Sequence, residues 1–201
     1  MLRRHVLSSN PAVGCERLAI VRVSYVDFAG AVREGHVCVL DVLAESVSNI
    51  FAELLRRRFP IESVRLMNEF DGDDDASIAH NNTSAFNDRN VAGTASVSTH
   101  AYGAAIDLNP VQNPAIEIVD GKRVVSPRSG QAFMNRGRAM PGMAESVRPV
   151  FRRYGFTEWG GNWRLKDYQH FQVPRKIASQ LTAVSREEGE RVFSRFVATI
   201  R

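Results

Sequence analysis

The sequence predicts an α+β domain with a largely antiparallel sheet flanked by helices. Three observations carry this: two hairpin signals, amphipathic stretches at helical spacing, and a mixed order of strands and helices without the regular alternation of a parallel sheet. A chain of 201 residues fits one domain, long enough to bury roughly two thirds of its unfolded surface. No disulfide framework is needed. We expect an N-terminal tail over 1–17, the domain proper over 18–175 and a helical C-terminal extension over 176–201.

Leu18 to Asp27 and Val32 to Leu40 read as two strands joined around Ala29 and Gly30. Asp41 is then expected to cap a helix whose apolar residues Leu43, Val47, Ile50, Phe51 and Leu54 share one face, until Pro60 stops it. Val64 to Met67 reads as a short strand, followed by a polar stretch from Asp71 to Thr99; a loop of that length inside a compact domain is usually functional or disordered. IEIVDGKRVV signals a second hairpin with Asp120 and Gly121 in its turn. Ser146 to Tyr154 has helical spacing, with Pro149 requiring a late start or a kink. Ser185 followed by Glu188 makes a capping-box pattern ahead of Val192, Phe193, Phe196, Val197 and Ile200, which predicts a terminal amphipathic helix.

A net charge of +4 and a pI near 9.4 are compatible with a polyanionic partner. The densest basic runs, Arg56 to Arg58 and Arg152 to Arg153, fall within or at the ends of helical patterns and read as solvated faces. No interleaving of aromatic and basic residues suits stacked bases, so no nucleic-acid partner is expected. Cys15 and Cys38 are too few and too far apart for a metal motif. Arg3 and Arg4 precede HVLSSNPAVG, which lacks the apolar run of a signal peptide, and no segment is long enough for a membrane span.

The chemistry concentrates in two clusters. In STHAYGAAIDLNP, a strand over Ala104 to Leu108 puts Ile106 and Leu108 on one side and Ala105 and Asp107 on the other, so Asp107 can face a cavity while the aliphatic pair packs. Gly103 lets the chain turn so that His100 approaches the same point. In KDYQHFQVP, Tyr168 to Val173 reads as a strand ended by Pro174, and His170 supplies a third candidate ligand. Two imidazoles and one carboxylate match the ligand set of catalytic zinc sites, whose fourth position stays open for water. Asp167 lies three residues before His170, so both serve one site only if the chain turns or bulges between them.

On these residues the chain resembles the zinc peptidases that comprise D-alanyl-D-alanine carboxypeptidases and L-alanyl-D-glutamate endopeptidases. Their pattern, SxHxxGxAxD followed far downstream by [DE]xxH, is met by Ser98, His100, Gly103, Ala105, Asp107, Asp167 and His170. NNTSAFNDR, HAYGAAIDLNPVQNP and WGGNW with DYQHF look like blocks of the endopeptidase-like branch, and the likeness extends over roughly Leu18 to Val173. Asp88 stands where that branch often has a Cys. The resemblance implies a hedgehog/DD-peptidase-like fold, zinc held by His100, Asp107 and His170, Asp167 as catalytic base, and Arg89 near the scissile carbonyl or a substrate carboxylate. Arg89 has a structural alternative, a salt bridge to Asp73, Asp74, Asp75 or Asp88. Ser98 reads equally as support for a ligand or as a turn serine.

The substrate so implied is peptidoglycan peptide, acted on at the wall or periplasm after release or secretion. The main rival is a zinc-bearing module that binds wall or peptide without cutting. Weaker features remain. Asp71, Asp73 and Asp75 begin like a calcium loop but have Ala76 and Asn82 where Gly and Glu belong. Trp159 and Trp163 line a groove or simply pack, and His5, His36 and His80 have no partner at metal-site spacing.

Overall fold

The computed structural model describes residues 6–91 and 93–200; Arg3, Arg4 and His5 lie outside them. The opening hairpin pairs β1 (Leu18–Val26) with β2 (Val32–Leu40), with Leu18 opposite Leu40. Its turn closes because Asp27 accepts the Ala31 amide at 2.8 Å while Gly30 takes φ +84°.

The first helix, α1 (Ala44–Arg56), packs along β1 through Val47, Ile50, Phe51 and Leu54. Asp41 does not cap it. Its carboxylate is held in a fork by Arg17, with Nε at 2.8 Å and Nη2 at 3.0 Å, and a tight turn over Asp41–Leu43 leads into the helix. Asp41 accepts the Val42 amide at 2.7 Å at the start of that turn, three residues ahead of the helix. The helix ends ahead of Pro60, with Arg58 in the left-handed region at φ +52°.

Between 71 and 99 the chain is not all loop. Asp73 caps α2 (Asp74–Ala79) by accepting the Ala76 amide at 3.0 Å, and β4 (Asn82–Thr83) runs parallel to β3 (Ser63–Val64). The aspartates that begin like a calcium loop are thus a helix start, where negative side chains suit the dipole. Next come β5 (Ala105–Asp107) and the hairpin of β6 (Ala115–Val119) and β7 (Lys122–Ser126), whose turn puts Asp120 and Gly121 at φ +50° and +72°. Helix α3 (Arg148–Arg153) has Pro149 in its first turn, so the late start is what occurs. β8 (Glu158–Trp159), β9 (His170–Gln172), α4 (Arg175–Thr182) and α5 (Arg186–Ala198) complete the chain.

Among the described residues the strands form four small sheets instead of one, and the three-stranded β5–β9–β8 sheet carries Asp107 and His170. Behind it Phe171 stacks on Phe151 at 3.9 Å, and Ile106, Leu108 and Phe156 fill the same core. Val192 and Phe193 of α5 join that core. The two basic runs meet at Glu53, which is buried on α1 and bound by Arg56, Arg57 and, from α3, Arg153 at 3.1 Å. Cys38 is buried, which pushes its thiol up to about 12; it and exposed Cys15 are both free. Among the described residues no helix is long and apolar enough to cross a membrane.

Candidate metal centre

Strand alternation separates site from core. In β5 and β9, Asp107 lies directly opposite His170 and Ala105 opposite Gln172, while Ile106 lies opposite Phe171. Successive side chains point to opposite faces, so Ile106 and Phe171 enter the core and Asp107 and His170 emerge together on the other face. His100 arrives from a turn over Thr99–Tyr102, where Ser98 Oγ accepts the His100 amide at 3.3 Å. Ser98 therefore acts here as a turn serine. Gly103 ends that turn at φ +63°, and a Cβ there would sit 2.5 Å from the Leu40 amide nitrogen on β2. Only glycine meets both demands.

His100 Nε2 lies 3.1 Å from Asp107 Oδ2, His170 Nδ1 lies 3.0 Å from Asp107 Oδ1, and the two imidazole nitrogens are 3.2 Å apart. All three residues are buried. Among the described residues they are the one group of three or more His, Cys, Asp or Glu placed to hold an ion.

The outer nitrogens settle what the inner ones offer. His100 Nδ1 faces the Ala85 carbonyl, which can only accept, so Nδ1 carries the proton and Nε2 a lone pair. His170 Nε2 lies 2.8 Å from Gln172 Oε1. Two neutral imidazoles and a carboxylate then converge electron-rich atoms on one point, an arrangement that needs a cation or protons between them. The donor set fits zinc.

Without metal, protons fill that role. Burial alone would raise the Asp107 carboxyl, but the charge of His100 and hydrogen bonds from both imidazoles outweigh it and hold Asp107 far below the usual carboxylate range. Burial would likewise lower His170, yet the bond to Asp107 and the charges of Asp107 and Asp167 lift it to about 9.

Asp167 sits beside the ligands through the required turn: the His170 amide reaches back to the Asp167 carbonyl at 3.4 Å, and Asp167 bridges to Ala115 before β9 begins. Gly160 permits this, because a Cβ there would come within 2.3 Å of the Asp167 carbonyl oxygen. Burial first, and the Asp107 charge second, raise the Asp167 carboxyl to about 6 against the pull of His170 and His100. Its Oδ1 is buried without a hydrogen-bond partner.

Residues 92–173 match the family described as D-alanyl-D-alanine carboxypeptidase. Over this segment the chain is similar to that zinc-peptidase family. The match contains His100, Asp107, Asp167 and His170 and stops short of Arg89. No curated protein and no solved structure matches the chain. The zinc dependence of the family and the buried His100, Asp107 and His170 agree on the cofactor.

Around this candidate metal centre the other candidates divide. Arg89 pairs with Asp74 at 2.7 Å, one of the partners left open by the sequence, but its Nε is buried and unpartnered. Its backbone runs beside the ligand turn, with the Ser98 amide on the Arg89 carbonyl at 3.0 Å. Trp159 is packing: it is buried, donates to the Tyr168 carbonyl at 2.8 Å and lies under Arg148. Trp163 stays exposed with its ring 5.1 Å from that of His170, at the rim of the candidate metal site. His80 is turned to Phe70 and the Ala76 carbonyl, away from the ligands. Thr99, Glu158 and Gln172 lie on the site face without having been singled out; for Gln172 the signal was available, since two residues beyond His170 in a strand means the same face.

Proposed function

We propose that the chain hydrolyses an amide bond in peptidoglycan stem peptides, with His100, Asp107 and His170 holding one zinc ion. The observation that carries this is the convergence of those three buried donors beside a carboxylate, Asp167, whose Oδ1 has no partner in the folded chain. A purely structural metal site has no use for such a neighbour. When bound, zinc supplies Lewis-acid activation of water and polarisation of the scissile carbonyl.

The protein's own groups supply the rest. Asp167 takes a proton from the attacking water at Oδ1 and returns it to the leaving amine, and a carboxyl lifted to about 6 suits a base working near neutrality. Arg89 offers its unpartnered Nε to the oxyanion or a substrate carboxylate, with Asp74 holding the neighbouring Nη2. Trp163 offers an apolar face at the rim. We read the fold as hedgehog/DD-peptidase-like and the bond as L-Ala-D-Glu, on the likeness of NNTSAFNDR and WGGNW to the endopeptidase-like branch; cleavage of terminal D-Ala is the other activity of the family.

Mass spectrometry of purified wall fragments, incubated with and without chelator, tests both levels. Fragments cut between L-Ala and D-Glu are the expected product. Loss of a terminal D-Ala alone would assign a carboxypeptidase, and intact fragments with a zinc-loaded protein would leave a binding module.

A further inference from the structure

The site face of the β5–β9–β8 sheet carries a second row of side chains behind the ligands. Glu158 on β8 lies directly opposite Gln172 on β9, which lies opposite Ala105 on β5. Ala105 is too small to reach out, so Gln172 is free to turn toward its neighbours in the row and to His170 two residues before it. Gln172 Oε1 lies 2.8 Å from His170 Nε2 and accepts the Thr99 hydroxyl at 2.7 Å, while Gln172 Nε2 donates to Glu158 Oε2 at 2.5 Å.

The orientation of that amide follows from its partners. A carboxylate oxygen accepts and does not donate, so the Gln172 NH2 group must face Glu158 and its carbonyl oxygen must face His170. His170 then has one way to satisfy the contact: Nε2 carries the proton and Nδ1, the atom beside Asp107 and His100, carries the lone pair. A reversed amide would present N–H to Nε2, place the lone pair there and leave a proton on Nδ1, where the metal belongs.

We infer that Glu158 and Gln172 are positioning residues for zinc: Glu158, which does not contact His170 directly, sets the Gln172 amide, and the amide sets the tautomer that makes His170 a ligand. The inference rests on the zinc-centre reading above. Direct carboxylate–histidine pairs serve this purpose in many metal sites; here an amide stands between the two. It transmits orientation while keeping the full negative charge away from the ring.

The test is zinc affinity of the metal-stripped chain, measured by competition with a chromophoric chelator, with cobalt absorption as a second readout of ligand geometry. Gln172→Leu and Glu158→Ala should each weaken zinc about 10–100-fold, the range for loss of an outer partner. The pair Gln172→Glu with Glu158→Gln keeps an acceptor toward His170 and a hydrogen bond between the two side chains, so it should recover most of the loss. Should Gln172→Leu fail to fold, the half-buried Glu158 position decides alone. Zinc affinity within about twofold of wild type in Glu158→Ala, with an unchanged cobalt spectrum, overturns the inference while leaving the zinc centre standing. A wild-type chain that takes up no zinc overturns both.

Discussion

Arg89 and Asp167 each bury one polar atom that the folded chain leaves without a partner, and an unsatisfied buried group costs about 1–3 kcal/mol. In the proposed mechanism the attacking water is the partner of Asp167 and the substrate that of Arg89. For Arg89 the alternative is that its worth lies in the Asp74 pair. That pair is more than a quarter exposed on each side, and such pairs contribute about 0–1 kcal/mol. Arg89→Ala should therefore keep zinc and lose at most about 1 kcal/mol of stability, while activity falls roughly 10²-fold or more, as for loss of an oxyanion donor. Asp74→Ala is the control: steady-state rates and melting curves of both variants, with equal activity losses, would assign Arg89 to the salt bridge. The Asp107–His170 contact makes a prediction about pH. In the metal-free chain Asp107 is depressed, so its contribution is present above the usual 3.8 and lost as pH falls below it. His170 is raised, so its contribution is complete below 6.5 and lost as pH rises through about 9. Melting temperatures of chelator-treated protein should fall between pH 6.5 and 9, and His170→Gln should flatten that limb.

Elements were legible where local chemistry decides them. The β1–β2 hairpin, the Asp120–Gly121 turn and the α5 start at Ser185, which accepts the Glu188 amide at 3.3 Å, follow the residues that turns and caps require. Asp41 is not the cap because a tight turn over Asp41–Leu43 precedes the helix and its carboxylate is shared between the Val42 amide and Arg17, 24 residues away, and no spacing rule reports that. Helix α2 escaped because its aspartates and short length look like loop, although Asp73 is a normal cap. The clustering of His100, Asp107 and His170 was legible for a stronger reason: alternation in two short strands places Asp107 and His170 on one face, and Gly103 brings in His100. The place of Glu158 beside Gln172 was not, since it depends on a cross-strand register that the sequence does not state. The turn at Gly103 is a test at this scale. Gly103→Ala forces a Cβ to 2.5 Å from the Leu40 nitrogen at φ +63°, and should lower the unfolding free energy in urea by about 1–3 kcal/mol.

At the scale of the molecule, the basic balance is partly internal. Arg56, Arg57 and Arg153 close around Glu53 and so tie α1 to α3. Removing metal should leave this frame folded, because the core behind Ile106 and Phe171 does not include the ligands, and far-UV circular dichroism before and after chelation checks it. What chelation should remove is the chemistry. The most direct test of the whole account is the turnover of wild type and Asp167→Asn on the same wall fragments, with zinc content measured in each. The account predicts about one zinc per chain in both and a rate lower by about 10²–10⁴ in the variant, since the amide keeps the shape but cannot take the proton. Equal rates with zinc intact would contradict it and remove Asp167 from the role of base.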